Sequence, residues 1–208
     1  MRSLTVAALL AAITTFVAAL ALRAPDATLA VLAVAAVAVL TTWIATLHTT
    51  EDESGLALSN PAAAVTLTLV GRRSASFLLP IIAAQVVGSV LGGFAVLGLD
   101  DRLGGSLVWT DPTRIATGIV VAVLAILSSW VFLAIDGGEH AMWAAAPVVL
   151  AGAALGVGLA VALNPAAVLG LATAGLVSWT TAGIAAVAGV VASVVGAYAI
   201  TLVTPAEE

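Results

Sequence analysis

The chain has 208 residues, of which 62% are hydrophobic and 8% charged, and its mean hydropathy is +1.24. So few charges do not cover the surface of a soluble domain, and most of this surface is therefore expected to face lipid. The net charge of −5 argues against nucleic-acid binding, and a chain with no cysteine has no disulfide, thiolate metal site or cysteine nucleophile.

Six apolar stretches are long enough to cross about 30 Å of hydrocarbon as helices. Charged residues fall in the connections or at segment edges, as expected when a charge at mid-bilayer is costly. The predicted spans are about 4–22, 28–47, 75–98, 114–135, 141–161 and 179–203. The main charged groups are Glu51-Asp52-Glu53, Arg72-Arg73, Asp100-Asp101-Arg102, Asp111 with Arg114, and Asp136 with Glu139.

The first span also has features of a secretory signal, because Arg2 precedes an alanine-rich apolar run. That run is about 19 residues long, whereas the apolar core of a signal peptide has about 7–15. A helix that is retained as the partner of 114–135 is therefore expected rather than a cleaved signal.

All five tryptophans lie near the ends of predicted spans, where an indole ring sits well in the headgroup region. They are interpreted as interface anchors, with packing between helices as the alternative for any single one. They are Trp43, Trp109, Trp130, Trp143 and Trp179.

Two short sequences, Asn60-Pro61-Ala62-Ala63 and Asn164-Pro165-Ala166-Ala167, are copies of each other. The same shift of about 104 residues also aligns Gly71 with Gly175 and Ser89 with Ser193, as an internal duplication does. We therefore predict one membrane domain over 1–208, with a first repeat at about 1–100 and a second at about 110–208.

Each copy opens about ten apolar residues before a glycine, too few to span a membrane. Asparagine at the N-cap, proline at the first helical position and glycine after the last turn predict a short helix. A half-length apolar helix has to re-enter the membrane or pack inside protein, since lipid does not satisfy its ends. With three spans per repeat, the second copy is inverted and the two short helices enter from opposite faces.

Opposed short helices bring two helix N-termini together, and each carries about half a positive charge and free N–H groups. The potential there repels cations, while Asn60 and Asn164 supply amide donors, which suits small neutral polar solutes. Pro61, Ala62, Pro165 and Ala166 shape the helix ends.

Small residues spaced for close helix contact agree with this, and helix packing without a pore is the alternative. They are Gly88, Gly92, Ala192 and Gly196.

On these motifs the chain resembles the aquaporin (major intrinsic protein) family. The resemblance rests on Asn60-Pro61-Ala62, Val65-Thr66-Leu67, Gly71-Arg72, Pro80, Ala84-Gln85 with Gly88, and Asn164-Pro165-Ala166 with Gly170. It implies six tilted helices plus two half-helices, a homotetramer in the cell membrane with one pore per subunit, and cytoplasmic termini. It also implies passive conduction of water or solutes such as glycerol, without a cofactor.

The chain departs from the family pattern at two places. Ala167 stands where the family has the arginine of its outer filter, and neither 4–22 nor 114–135 contains the family's glutamate. The hypothesis is a wider, more apolar selectivity filter at Ala167 that admits glycerol-sized solutes. The alternative is a pore so apolar that it dewets and conducts poorly.

Histidines lie beside acidic residues in two connections, His48 near Glu51–Glu53 and His140 near Asp136 and Glu139. Cation binding or pH gating is one interpretation, and solvated connections are the expected one. No catalytic or metal-ligand pattern is found, so an enzyme is not expected. Two alternatives to a channel remain: an inverted-repeat secondary transporter and a nonconducting scaffold with the same fold.

Overall fold

The computed structural model describes residues 2–24, 26–103, 113–136 and 140–203. Trp109, Asp111 and Glu139 lie outside these ranges. The described chain consists of helices and connections without a strand, with 3₁₀ turns at Gly55–Leu58, Ala75–Phe77 and Ala141–Ala144. Its helices are α1 (Arg2–Ala21), α2 (Ala27–Thr46), α3 (Pro61–Leu69), α4 (Leu78–Leu103), α5 (Arg114–Ile135), α6 (Ala145–Leu155), α7 (Val157–Ala162), α8 (Pro165–Thr173) and α9 (Trp179–Val203).

Five helices of the described chain are long and apolar enough to cross a membrane: α1, α2, α4, α5 and α9. The prediction of an all-α membrane protein is confirmed. The segment predicted as one span at 141–161 is divided, because α6 ends and α7 begins at Gly156. Gly156 has φ 97° and ψ 162°, a backbone conformation that only glycine adopts readily.

The predicted small-residue contacts join the first and last long helices of each repeat. A Cβ on Gly88 would overlap the carbonyl oxygen of Ala8, and one on Gly92 would lie against Ala12 and Thr15. Gly196 lies in the same way against Ile126 and Ser129. Helices α1 and α4 therefore pack almost backbone to backbone, as do α5 and α9, and the contacts make Thr15 and Ser129 equivalent positions of the two repeats.

The contacts between helices keep the same pattern when the two repeats are exchanged. Helix α8 packs against α1 and α4, and α3 packs against the equivalent helices α5 and α9. Helices α2 and α6 contact each other, and so do α3 and α8. Each short helix thus packs against two long helices of the other repeat and against the last long helix of its own, α4 for α3 and α9 for α8, an arrangement that follows from a duplicated sequence.

Charged side chains join the connection before α3 to the ends of α3 and α5. Arg72 forms an ion pair with Asp136 at 2.9 Å, and the hydroxyl of Ser54 donates to the same carboxylate. Arg73 is almost completely buried, pairs with Glu53 at 3.1 Å and donates to the Ser54 carbonyl at 3.1 Å. Only 8% of the Asp136 side chain is exposed, so the expectation of a solvated connection is wrong at this residue.

The four described tryptophans lie near helix ends with much of their surface exposed, as interface anchors do. Trp130 also packs between helices, since its Nε1 donates to the Gly196 carbonyl at 3.2 Å. Packing between helices, the alternative interpretation, is therefore confirmed for this residue.

Candidate functional site

Asn60 begins the short helix α3 with the predicted cap. Its backbone is extended, and its Oδ1 accepts the amide N–H of Ala63 at 2.9 Å, while Pro61 occupies the first turn. The helix ends at Gly71, whose φ of 78° lies in the left-handed region. The Arg72 amide then donates back to the Leu67 carbonyl at 2.8 Å, which closes a Schellman motif.

Asn164 begins α8 with the same kind of cap. Its Oδ1 accepts the amides of Ala166 and Ala167 at 3.1 and 3.2 Å. Gly175, with φ 71°, ends the helix, and Leu176 donates to the Leu171 carbonyl at 3.0 Å. The predicted start and stop signals of both short helices are confirmed, and the two copies fold alike down to their terminal hydrogen bonds.

Different contacts hold the two short helices in place. The hydroxyl of Thr66 in α3 donates to Ser129 Oγ in α5 at 3.1 Å, and both side chains are buried. At the equivalent position of α8 stands Gly170, and a Cβ there would overlap the Ser89 carbonyl oxygen and the Thr15 side chain. A hydrogen bond therefore positions α3, whereas close backbone packing positions α8.

Both asparagines line one cavity between the repeats, with a volume of about 50 Å³. A single water needs roughly 10–15 Å³ of such space, so the cavity has room for a few waters. The other lining residues are Thr14, Ala18, Val34, Ala38, Thr41, Thr42, Ser59, Ser128, Val131, Phe132, Ala144, Pro147, Val148, Ala160, Val161 and Leu163. None of these described side chains is charged.

The remaining residues predicted for the site lie behind the cavity wall. Pro61, Ala62, Pro165 and Ala166 are buried in the first turns of the short helices and do not contribute to the described lining. Ala167 is completely buried, packs in the apolar core and faces neither the cavity nor solvent. The structure thus brings Asn60 and Asn164 together and places Ala167 apart from them.

Sequence reasoning missed the hydroxyl side chains of the lining. Most come from pairs of adjacent hydroxyl residues in otherwise apolar spans, Thr14-Thr15, Thr41-Thr42 and Ser128-Ser129, and Ser59 directly precedes Asn60. Since Thr15 and Ser129 are equivalent, so are their neighbours Thr14 and Ser128, and both line the cavity. Polar residues inside apolar spans are the signal that would have identified them.

The cavity combines positive helix ends with neutral polar groups. The first turns of α3 and α8 follow directly on lining residues, and a helix N-terminus carries about half a positive charge. With no charged side chain in the described lining, this potential is not neutralised. The site therefore disfavours cations and offers hydrogen bonds to neutral molecules.

No protein-family model matches the chain, and the search of curated proteins finds no match.

Proposed function

We propose that the protein is a passive membrane channel for water and small neutral solutes such as glycerol, built on the aquaporin pattern. In this proposal six segments cross the bilayer, with α6 and α7 together forming the fifth. Helices α3 and α8 re-enter from opposite faces. The observation that carries the proposal is that Asn60 and Asn164, each capping a short helix, line one cavity enclosed by both repeats.

The physical reason is the match between the cavity and a neutral solute. The asparagine amides at two helix N-termini donate hydrogen bonds to a hydroxyl or carbonyl oxygen of the solute, while the positive potential there opposes protons and metal cations. Among the described residues, the lining has no carboxylate of the kind that a coupled transporter uses to bind an ion. Passive flow is therefore the mechanism that these residues support best.

The resemblance carries the remaining parts of the proposal. The partners are the lipid bilayer and three further copies of the chain in a homotetramer, each subunit with its own pore. The protein belongs in the cell membrane with both termini in the cytoplasm. Ala167 keeps its proposed part in a widened filter as a residue that leaves space, although its side chain packs in the core.

The test is stopped-flow light scattering on vesicles that contain the purified protein, with empty vesicles as the control. An impermeant osmolyte reports water flux, and a glycerol gradient reports solute entry. Fast water flux supports the channel, and fast glycerol entry in addition supports the widened filter. Folded protein that changes neither flux would refute the channel and favour the nonconducting scaffold.

A further inference from the structure

Four hydroxyl side chains of the cavity lining share one hydrogen-bond arrangement. Each donates its proton to a backbone carbonyl three or four residues earlier in its own segment. Thr14 bonds to Leu10, Thr41 to Val37, Ser59 to Leu56 and Ser128 to Leu124, each at 2.8 Å. A hydroxyl has one proton and two lone pairs, so only acceptor positions remain for a molecule in the cavity.

The two asparagines present the opposite chemistry. Their Oδ1 atoms accept backbone N–H groups, so the Nδ2 amides are the part left for a solute. Asn60 follows Ser59 directly, so a donor and an acceptor lie side by side in the lining. The polar surface of the cavity therefore includes two amide donors and four hydroxyls that offer only acceptor positions, beside the hydroxyl of Thr42.

The rest of the lining supplies few hydrogen bonds. Phe132, Val148, Val161 and Leu163 are apolar, and three of them belong to the second repeat's α6–α8 region. Moving a polar solute from water into the cavity costs free energy for each of its donors that finds no acceptor there. The four hydroxyls that donate to backbone carbonyls have free lone pairs, and these can accept the N–H or O–H groups of the solute in place of water.

We propose that Thr14, Thr41, Ser59 and Ser128 determine specificity by favouring neutral solutes with several hydrogen-bond donors. This inference rests on the proposed channel function. The carbonyl or hydroxyl oxygen of such a solute accepts hydrogen bonds from the asparagine amides. The N–H or O–H groups of the solute donate to the lone pairs of the four hydroxyls. A solute that accepts hydrogen bonds but donates few finds partners at the asparagines alone.

Urea and acetamide are suitable probes, because they share one heavy-atom shape and differ in having two NH₂ groups or one. The protein-dependent permeability ratio of urea to acetamide is measured on vesicles, after subtraction of empty vesicles. Thr41→Val removes an acceptor at constant shape, and we expect the ratio to fall about two- to tenfold, as loss of one hydrogen bond implies. Ser128→Ala serves as the second variant if Thr41→Val does not fold.

The matched control is Thr46→Val. Thr46 lies in the same helix, and its hydroxyl donates to the Trp43 carbonyl at 2.7 Å, but it is not part of the cavity lining. We expect its ratio to equal that of the unchanged protein. A ratio that stays constant in folded Thr41→Val and Ser128→Ala, or falls equally in Thr46→Val, overturns the inference. Water flux in the same vesicles distinguishes failure of this inference from failure of the channel proposal. If the channel proposal fails, no flux exceeds that of empty vesicles.

Discussion

Asn60 and Asn164 each use the two ends of one amide group. The oxygen caps a short helix, and the nitrogen is left for the cavity. Aspartate caps a helix as well as asparagine does, but it has no N–H to donate and brings a negative charge. The two functions of the residue are therefore separable by substitution.

We expect Asn60→Asp and Asn164→Asp to keep the fold and to lose neutral-solute flux. The lost amide donor should lower water permeability about two- to tenfold, and the new charge should admit cations. Stopped-flow water flux and a cation-leak assay on the same vesicles measure the two effects. Asn60→Ala is the contrasting variant, because it also loses the cap and about 1 kcal/mol of stability. Unchanged water flux in both aspartate variants would contradict the donor role.

At this scale the sequence predicted caps better than it predicted the cavity lining. Asparagine, proline and glycine at fixed spacing act through local backbone geometry, so the ends of α3 and α8 follow from the motif. Whether Thr41 or Ala167 faces the cavity depends on how α2 and α8 are rotated by their neighbours. The motif spacing contains no information about that rotation, so Thr41 was missed.

Among the elements, the tightest packing lies between α1 and α4, where Gly88 leaves no space for a methyl group. We expect Gly88→Ala to destabilise the protein by about 1–3 kcal/mol, since the Ala8 backbone has to move. Gly183→Ala in α9 is the control, because within the described part of the chain no atom lies within 4 Å of the added Cβ. Thermal unfolding in detergent compares them. Equal midpoints for the two variants would show that α1 and α4 are not packed this closely.

Gly156 divides the fifth predicted span through its backbone conformation rather than through crowding. No atom of the residues that the structure describes lies within 4 Å of a Cβ placed there, yet φ 97° with ψ 162° is strained for any other residue. We expect Gly156→Ala to cost about 1–3 kcal/mol in thermal unfolding. Gly98→Ala, which has equal space and sits inside α4, should cost little. A stable Gly156→Ala variant would mean that α6 and α7 join into one helix without penalty.

The long helices were predicted within a few residues, because composition and length alone identify an apolar span. The break at Gly156 was not predicted, since 141–161 is as continuously apolar as its neighbours and contains two other glycines, Gly152 and Gly158, of ordinary conformation. Which glycine takes the unusual conformation depends on tertiary packing, which a hydropathy pattern does not record.

At the scale of the whole molecule, Asp136 is a polar connection between the repeats. It ends α5 of the second repeat and binds Arg72 and Ser54 of the first, with little of its side chain exposed. We expect Asp136→Asn to lower the free energy of unfolding by about 1–3 kcal/mol, because Arg72 and Ser54 lose a charged acceptor. Asp26→Asn is the control, since this exposed residue caps α2 and asparagine caps equally well. Equal unfolding of both variants would show that the connection is not stabilising.

Because each short helix packs against long helices of the other repeat, the two short helices meet their partners in a different order during synthesis. A chain grows from its N-terminus, so α3 emerges before α5 and α9, which later enclose it. Until α5 and α9 are in place, the unpaired backbone groups at the ends of α3 lack the protein surroundings that these helices provide. Lipid does not satisfy such groups. Helix α8 emerges when α1 and α4 are already in place, and α9 joins its surroundings afterwards. The two copies of one motif therefore reach equivalent contacts in a different order: α3 forms before both of the second-repeat helices that it packs against, whereas α8 forms after both of its first-repeat partners.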